Sequence, residues 1–377
     1  MKRGRGALCC AMLSLSTALL TGCWDREYLK DLNLAYSAGF DLTKDHKIKE
    51  TVELIIPPKT EQSSTTNEIH SAVGLSTRGA SNILRARVRG NMRVIKNSVQ
   101  LIGRSLAEEG LKAPMDVNFR DPRNPSSDVR LVVTENDASE IIGMKKIGEL
   151  QIGEFLTQKI SSLEKMSLFY PPETVNTVFR ALTDPGQDFA LPYIGVQGSE
   201  IVAKGVALFH DQSFSGSLGK DQSIMLVLMK GKSGGNARFT KTVYLDTTKP
   251  IRGSISYNVG NKKRKREFHV SVSRNGDVHV KLSLKLQAVI EEFTGPQLLD
   301  DKAVTRVNKE LSSIMTEEAR EVVRELQQAN CDIFGVGRQL MAYHPKLWKR
   351  IDWNKEYRNV QFHTQVQVSI IDTGVIQ

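Results

Sequence analysis

Cysteine is scarce. The 377-residue chain holds four, too few for a disulfide scaffold. No CxxC pair occurs, and none of the seven histidines (His46, His70, His210, His269, His279, His344, His363) stands at HExxH or HxH spacing. A metal centre therefore has no support in the sequence. A GxSxG nucleophile elbow is missing too. Gly216-x-x-Gly219-Lys220 and Gly231-Lys232-Ser233 lack the full GxxxxGK[ST] spacing of a phosphate loop, and Gly335-x-Gly337 meets Leu340 where a dinucleotide loop needs glycine. Glu291-Glu292 and Glu317-Glu318 read as helix-end and solvated charges rather than an acid/base pair. No fixed-period repeat is present. Beyond the extreme N-terminus no apolar run approaches the roughly 20 residues of a membrane span, which excludes a polytopic membrane protein. These absences leave no catalytic constellation, and the expectation is a protein that is not an enzyme.

What is present is a globular composition, 25% charged and 40% hydrophobic, with length for two or three domains. Lys and Arg exceed Asp and Glu by ten, and the pI is about 9.3. A basic balance suits an anionic membrane, a nucleic acid or plain solubility, and composition does not choose among them.

The first residues are more specific. MKRGR is followed by the uncharged run Ala7 to Leu20, then by Thr21-Gly22-Cys23 and the polar WDREYLKD. A basic start, a short apolar stretch and small residues at a cut mark a secretory signal. Leu20-Thr21-Gly22-Cys23 resembles the bacterial lipobox, in which the cysteine thiol takes a diacylglyceryl group and, after cleavage, an N-acyl chain. Residues 1–22 are thus expected to be removed and Cys23 to carry the lipid, because two or more acyl chains hold a protein stably at a membrane. Cys9 and Cys10 leave with the signal, so Cys331 stands alone without a disulfide partner. Apart from this covalent lipid, no cofactor is expected.

Along the body, residues 31–56 predict a pair of strands, and 59–82 a long loop or strand edge. Ile83 to Met92 has helical spacing. Val99, Leu101 and Ile102 fit strand or helix equally. Asp128 to Val133 predicts a strand, and Asp137 a cap for a helix through Ile142. Residues 145–190 are helical in patches, broken at Pro171-Pro172 and Pro185-Gly186. Gly195 and Gly198 mark a change of texture. Beyond it Gly205 to His210 and Ile224 to Met229 predict strands, and 231–236 a flexible loop. Asn275-Gly276 predicts a hairpin between Arg266–Ser273 and Val278–Ile290. The basic run Lys262 to Arg266 is favoured as a solvated edge or loop over a lipid or partner contact. Residues 296–329 are the clearest helix, with Val304, Val307, Leu311, Ile314, Met315, Val322 and Leu326 on one face. Val360 to Ile371 alternates as a final strand.

Five blocks stand in order along the chain: CWDREYLKDLNLAYSAGFD, IGRSLAEEGL, FRDPRNPSSDVRLVVTENDASEII, GVALFHDQSFSGSLGKDQSIMLVLMKGK and CDIFGVGRQLMAYHPKLWKRIDWNKEY. Together they resemble the Ger(x)C family of spore germination lipoproteins. The last carries the family's most specific signature at Asp332, Phe334, Gly335, Gly337, Arg338, Pro345, Trp348 and Trp353. The resemblance implies an α+β multidomain body of three domains. The sequence adds to it a C-terminal antiparallel sheet packed by the long helix. Division is expected into 23–198, an N-terminal region separable into two subdomains, and 199–377, a C-terminal α+β domain. The resemblance further implies the lipoprotein C subunit of a nutrient germinant receptor. Such a subunit is anchored to the outer face of the spore inner (cell) membrane and works with integral A and B subunits, with no nucleic acid as partner. Scaffolding or coupling is the first role this implies; a module that itself binds the small-molecule germinant is the alternative. Asp332, Phe334, Gly335, Arg338, Trp348 and Trp353 are candidate site residues, as interface or core.

Overall fold

The computed structural model describes residues 32–56, 66–89, 91–93, 98–121, 128–165, 173–231, 235–244, 252–294 and 301–373. Cys23, Pro171-Pro172 and residues 232–234 of the expected 231–236 loop lie outside them.

The N-terminal elements are β1 (Leu32–Leu42), β2 (Ile48–Ile56), β3 (Thr66–Gly74), α1 (Thr77–Arg87), β4 (Asn91–Arg93), β5 (Val99–Gly103), α2 (Arg104–Glu109), α3 (Lys112–Arg120), β6 (Arg130–Thr134) and α4 (Ala138–Gly143). The short hairpin β7 (Lys146–Ile147) and β8 (Leu150–Gln151) follows, then α5 (Ile152–Lys165), α6 (Val175–Leu182), β9 (Ala190–Gln197), β10 (Glu200–His210) and β11 (Ser213–Leu218). Eight of these strands run in the order β11-β10-β9-β6-β5-β1-β2-β3, and β4 adds to β1, giving a nine-stranded sheet. Its centre is parallel (β1, β5, β6, β9) and its flanks are antiparallel hairpins. Helices cover both faces, so the central strands are buried on both sides; all five residues of β5 are buried. Val178 of α6 and Leu106 of α2 pack on one face, Ile141 of α4 and Leu156 of α5 on the other.

Two carboxylates of this sheet terminate helices from afar. Asp41, at the end of β1, accepts the N–H groups of Ala138 and Ser139 at 2.5 and 3.0 Å. Glu53 of β2 accepts that of Gly153 at 2.8 Å. The cap expected of Asp137 is thus supplied by Asp41, and Asp137 makes no side-chain cap bond.

The C-terminal elements are α7 (Lys220–Lys230), β12 (Ala237–Tyr244), β13 (Arg252–Val272), β14 (Val278–Phe293), α8 (Asp301–Gln328), α9 (Val336–Tyr343), α10 (Pro345–Trp348), α11 (Trp353–Glu356) and β15 (Gln361–Asp372). The second sheet has the order β12-β13-β14-β15, and α8 lies against it, burying Val307, Leu311, Met315, Ala319, Val322 and Leu326. A mixed α and β body with a C-terminal sheet under a long helix is therefore present. The sheet is antiparallel only through β14. β15 joins β14 in parallel, because α8 carries the chain back across the sheet before β15 begins, the kind of crossover a parallel pair needs.

Other expectations are corrected. Residues 224–229 form helix α7, not a strand. Residues 59–82 contain β3 and the start of α1, and that helix stops at Arg87. Lys262 to Arg266 lies in β13 past Val259, where the pairing with β12 ends, so among the described residues the run borders β14 alone and is an edge, as expected. Arg266, though exposed, donates to the carbonyl of Met229 at 2.5 Å and stacks over Phe268. Residue 198, where the division is expected, lies in the tight turn joining β9 to β10.

β15 has a covered edge. Asn308 Oδ1, Ser312 Oγ and Thr316 Oγ1 of α8 accept the backbone N–H groups of Ile370, Val368 and Val366 at 2.8, 2.9 and 3.0 Å. Four helical residues rise about 6 Å and two strand residues about 6.6 Å, so the two sets of groups keep step. The helix thereby stands in for a further strand.

Candidate functional site

The signature residues gather where the two sheets meet. α8 ends at Gln328, and Asn330 turns the chain with a φ of 54°. Residues 331–338 then run back along 184–188, the loop between α6 and β9. Asp188 N–H donates to the Asp332 carbonyl at 3.0 Å, and Asp332 N–H donates to the Asp188 carboxylate at 2.8 Å. Arg338 N–H donates to the Gly186 carbonyl at 3.0 Å. The Arg338 guanidinium reaches Asp184 at 3.1 Å and Gln187 at 3.0 Å.

Asp332 is the hub. Its side chain is buried and accepts three N–H groups: Val336 at 2.9 Å, Gly337 at 2.8 Å and the Trp353 indole at 3.2 Å. The first two open α9, so the carboxyl caps that helix where its dipole favours an anion. Burial nevertheless pushes the Asp332 carboxyl up to about 7 against the pull of those bonds, with Asp188 adding to the rise. Gly335 takes the left-handed conformation, φ 72°. Gly337 has no room for a side chain: a Cβ there would sit 2.7 Å from Trp353 Nε1 and 2.9 Å from Gly186 Cα.

His210, at the end of β10, closes the junction. Its Nδ1 lies 3.5 Å from Asp188, and its Nε2 is 3.0 Å from the amide nitrogen of Asn330, which also donates to the Asn354 carbonyl at 2.7 Å. The bond to Asp188 raises the imidazole pKa. Asp211, left-handed at φ 52°, gives its N–H to Asp188 at 2.9 Å. Ligand atoms of Asp188, His210 and Asp211 lie within 4.8 Å of one another. Yet the Asp188 carboxylate and both imidazole nitrogens are already engaged, which makes the trio a clasp. Cys331 beside it is fully buried; burial pushes its thiol well up, and it points at the Phe189 carbonyl, 3.7 Å away. Such a thiol is inert.

The aromatic members pack around this hub. Phe334 lies 6.2 Å from both Phe268 and Phe362, Trp348 is 6.0 Å from Trp353, and Trp353 meets Tyr357 edge-on at 5.7 Å. Trp353 is buried and Trp348 half-buried, while Arg338, Met341 and Tyr343 are exposed on the α9 surface. The structure thus brings Asp332 and Trp353 into direct contact, sets Trp348 against Trp353, and places Phe334 and Arg338 on two sides of the same turn. Asp188, Gln187, His210 and Asn330 complete the site and were not singled out from sequence. The break at Asp184-Pro185-Gly186 was their only local signal. No helix among the described residues is long and apolar enough to cross a membrane.

Comparison with known proteins gives a consistent picture. Residues 25–196 match a family described as spore germination protein N-terminal domain, and residues 204–374 one described as spore germination B3/GerAC-like, C-terminal. Spore germination protein GerQC of Bacillus cereus is 21% identical over 96% of this chain and 97% of its own length. Spore germination protein KC of Bacillus subtilis (strain 168) is 22% identical over 94% and 92%. The crystal structure of the GerBC protein superposes with a TM-score of 0.53 over 89% of this chain and 96% of that one, at 15% identity, which speaks for the fold.

Proposed function

The chain belongs to the spore germination B3/GerAC-like family, and from that premise we propose that it is the lipid-anchored subunit of a spore germinant receptor. Family membership carries a role in germination. The finer reading is a lipoprotein held by Cys23 at the outer face of the spore inner membrane, which scaffolds or couples the integral A and B subunits without catalysis of its own. One observation carries it: the lipobox Leu20-Thr21-Gly22-Cys23 stands immediately before the first family-matched residue, 25. The junction fits such a role. Its ionisable groups hold two sheets together and present no free nucleophile, while Arg338 and Tyr343 face outward beside it.

The test is a crosslinked pull-down from spore inner membranes with the wild-type chain and Cys23→Ala in parallel. The expected result is co-recovery of a polytopic partner and a second membrane subunit with the wild type. Cys23→Ala should lose membrane retention and germination response together. Normal germination with a fully soluble Cys23→Ala protein would overturn the anchoring role.

A further inference from the structure

Strand registers set two distant parts of the chain at one end of the nine-stranded sheet. Phe40 of β1 lies level with Ile102 of β5, Ile102 with Val133 of β6, and Val133 with Tyr193 of β9, and all four strands are parallel. From that rung Leu32, at the start of β1, is eight residues back along the chain, and Gly186 is seven residues back from Tyr193. β1 and β9 are three strand spacings apart, about 14 Å. Gly186 seats α9: its carbonyl accepts the Arg338 N–H, and Gly337 lies against it. Residues 23–31 reach at most about 30 Å from Leu32. A lipid on Cys23 therefore holds the α9 end of the molecule toward the membrane.

The surface at that end is basic and aromatic. From Ile333 to Ile351 the chain holds Arg338, Lys346, Lys349 and Arg350 and no carboxylate. The flanking Asp332 is buried, and Asp352 is held by Lys355 at 2.9 Å. Arg338 pairs with Asp184, whereas Lys346, Lys349 and Arg350 are exposed and form no ion pair among the described residues. Their spacing splits the turn after Pro345 into two faces. Leu347, Trp348 and Ile351 pack inward on the cluster of Trp353 and Tyr357, which leaves 346, 349 and 350 outside. Tyr343, three residues before Lys346, is 73% exposed, and Met341 is exposed as well. An open tyrosine among unpaired cations suits a lipid interface, with the ring at headgroup level and the cations against anionic lipid.

We propose that α9 and α10 form a docking surface that lies on the anionic headgroups of the membrane. Its orientation follows from the lipid anchor on Cys23, on which this reading rests. Headgroups offer charge over an area, so the three unpaired cations need only share an exposed side. The anchor alone leaves the body free to turn about residues 23–31. A second, electrostatic hold fixes which end of the nine-stranded sheet meets the lipid, and one lipid signal plus a basic patch is a stable combination.

The experiment uses the chain from residue 23 with Cys23→Ala, so that neither the signal nor an acyl group contributes to binding. Co-sedimentation with phosphatidylglycerol vesicles is measured against phosphatidylcholine vesicles. Lys346→Ala/Lys349→Ala is compared with Lys265→Ala/Lys285→Ala, a pair of equal charge exposed on β13 and β14, and circular dichroism verifies that both fold. The anionic vesicles should be preferred. The docking pair should weaken that binding by about thirtyfold, at about fivefold for each cation near an anionic surface, and the other pair by less than about threefold. Equal losses in the two pairs, or no preference for the anionic lipid, overturn the proposal. In spore inner membranes the acylated chain carries a photo-crosslinking residue in place of Tyr343. Transfer to lipid supports docking; transfer to protein alone assigns the surface to a partner subunit and overturns it. The anchor is read separately, from retention of wild type against Cys23→Ala, so docking can fail with the anchor intact and the anchor can fail with docking intact.

Discussion

Replacing Asp332 by alanine should loosen the junction by an amount the geometry fixes. Three buried N–H donors, those of Val336, Gly337 and Trp353, lose their acceptor. Each orphaned donor costs about 1–3 kcal/mol, so the gross loss is about 3–9 kcal/mol, large against a total stability of about 5–15 kcal/mol. The pH sets how much of this is seen. Burial raises the Asp332 carboxyl from 3.8 to about 7. Between those values the folded protein keeps a proton that the unfolded chain has shed, so wild-type stability falls as pH rises through the window. At pH 5 the folded carboxyl is still neutral, alanine removes hydrogen bonds and no folded-state charge, and most of the loss appears. At pH 8 it also removes an unfavourable buried anion, and the loss is smaller than at pH 5 by roughly 3 kcal/mol. Urea unfolding of wild type and Asp332→Ala, followed by tryptophan fluorescence at both pH values, measures the two differences. A variant within about 1 kcal/mol of wild type at pH 5, or a loss that grows with pH, would refute the reasoning.

Other perturbations test the same physics. Gly337→Ala should cost about 2–4 kcal/mol and change the near-UV dichroism of Trp353, because its Cβ would strike the indole nitrogen and Gly186 together; an unchanged spectrum and melting point would count against that close approach. Ser312→Ala with Thr316→Ala should cost about 1–2 kcal/mol per site and speed hydrogen exchange at Val368 and Val366 without touching interior β14 amides; uniform protection would show that the ladder does not guard the edge. Glu50→Gln should stabilise at pH 8 and be neutral at pH 5, since burial raises Glu50 to about 7 and glutamine can keep the Ser81 hydrogen bond without the charge; destabilisation at pH 8 would contradict it.

Much of the C-terminal half was legible in the sequence because its elements have one wet and one dry face. β14 alternates, α8 carries a stripe, and Asn275-Gly276 closes a hairpin; each signal is local and periodic. Helix α7 was read as a strand for the opposite reason. Residues 223–229 are all buried, and a short run without a polar face has no period to report. β3 and α1 were obscured differently: β3 lies at the sheet's edge, and only Thr77, Ala80 and Leu84 of α1 are buried. In the candidate site, the aromatic and glycine members of the signature stood out by type, whereas Asp188 and His210 did not. Their role arises from pairings across more than a hundred residues, which local pattern does not encode. Asp41 as the cap of α4, 97 residues away, is the same case.

The match between α8 and β15 works as a vernier. Helix and strand advance by about 6.0 and 6.6 Å per rung, and the helical acceptors also swing by about 40° around their axis each time. Two scales of unequal pitch coincide only near one mark. The shortest acceptors, Ser312 and Thr316, stand at that coincidence, and the longer Asn308 reaches from one side of it. Far beyond, the still longer Gln327 reaches the strand as a donor, its Nε2 giving a hydrogen bond to the carbonyl of Val360 at 2.8 Å. Side-chain length thus follows phase error. A straight helix can shield a strand edge in this way for only a few rungs, and inserting a single residue into α8 upstream of Asn308 would leave the alignment intact, whereas one inserted between Ser312 and Thr316 would turn the second acceptor about 100° off the strand.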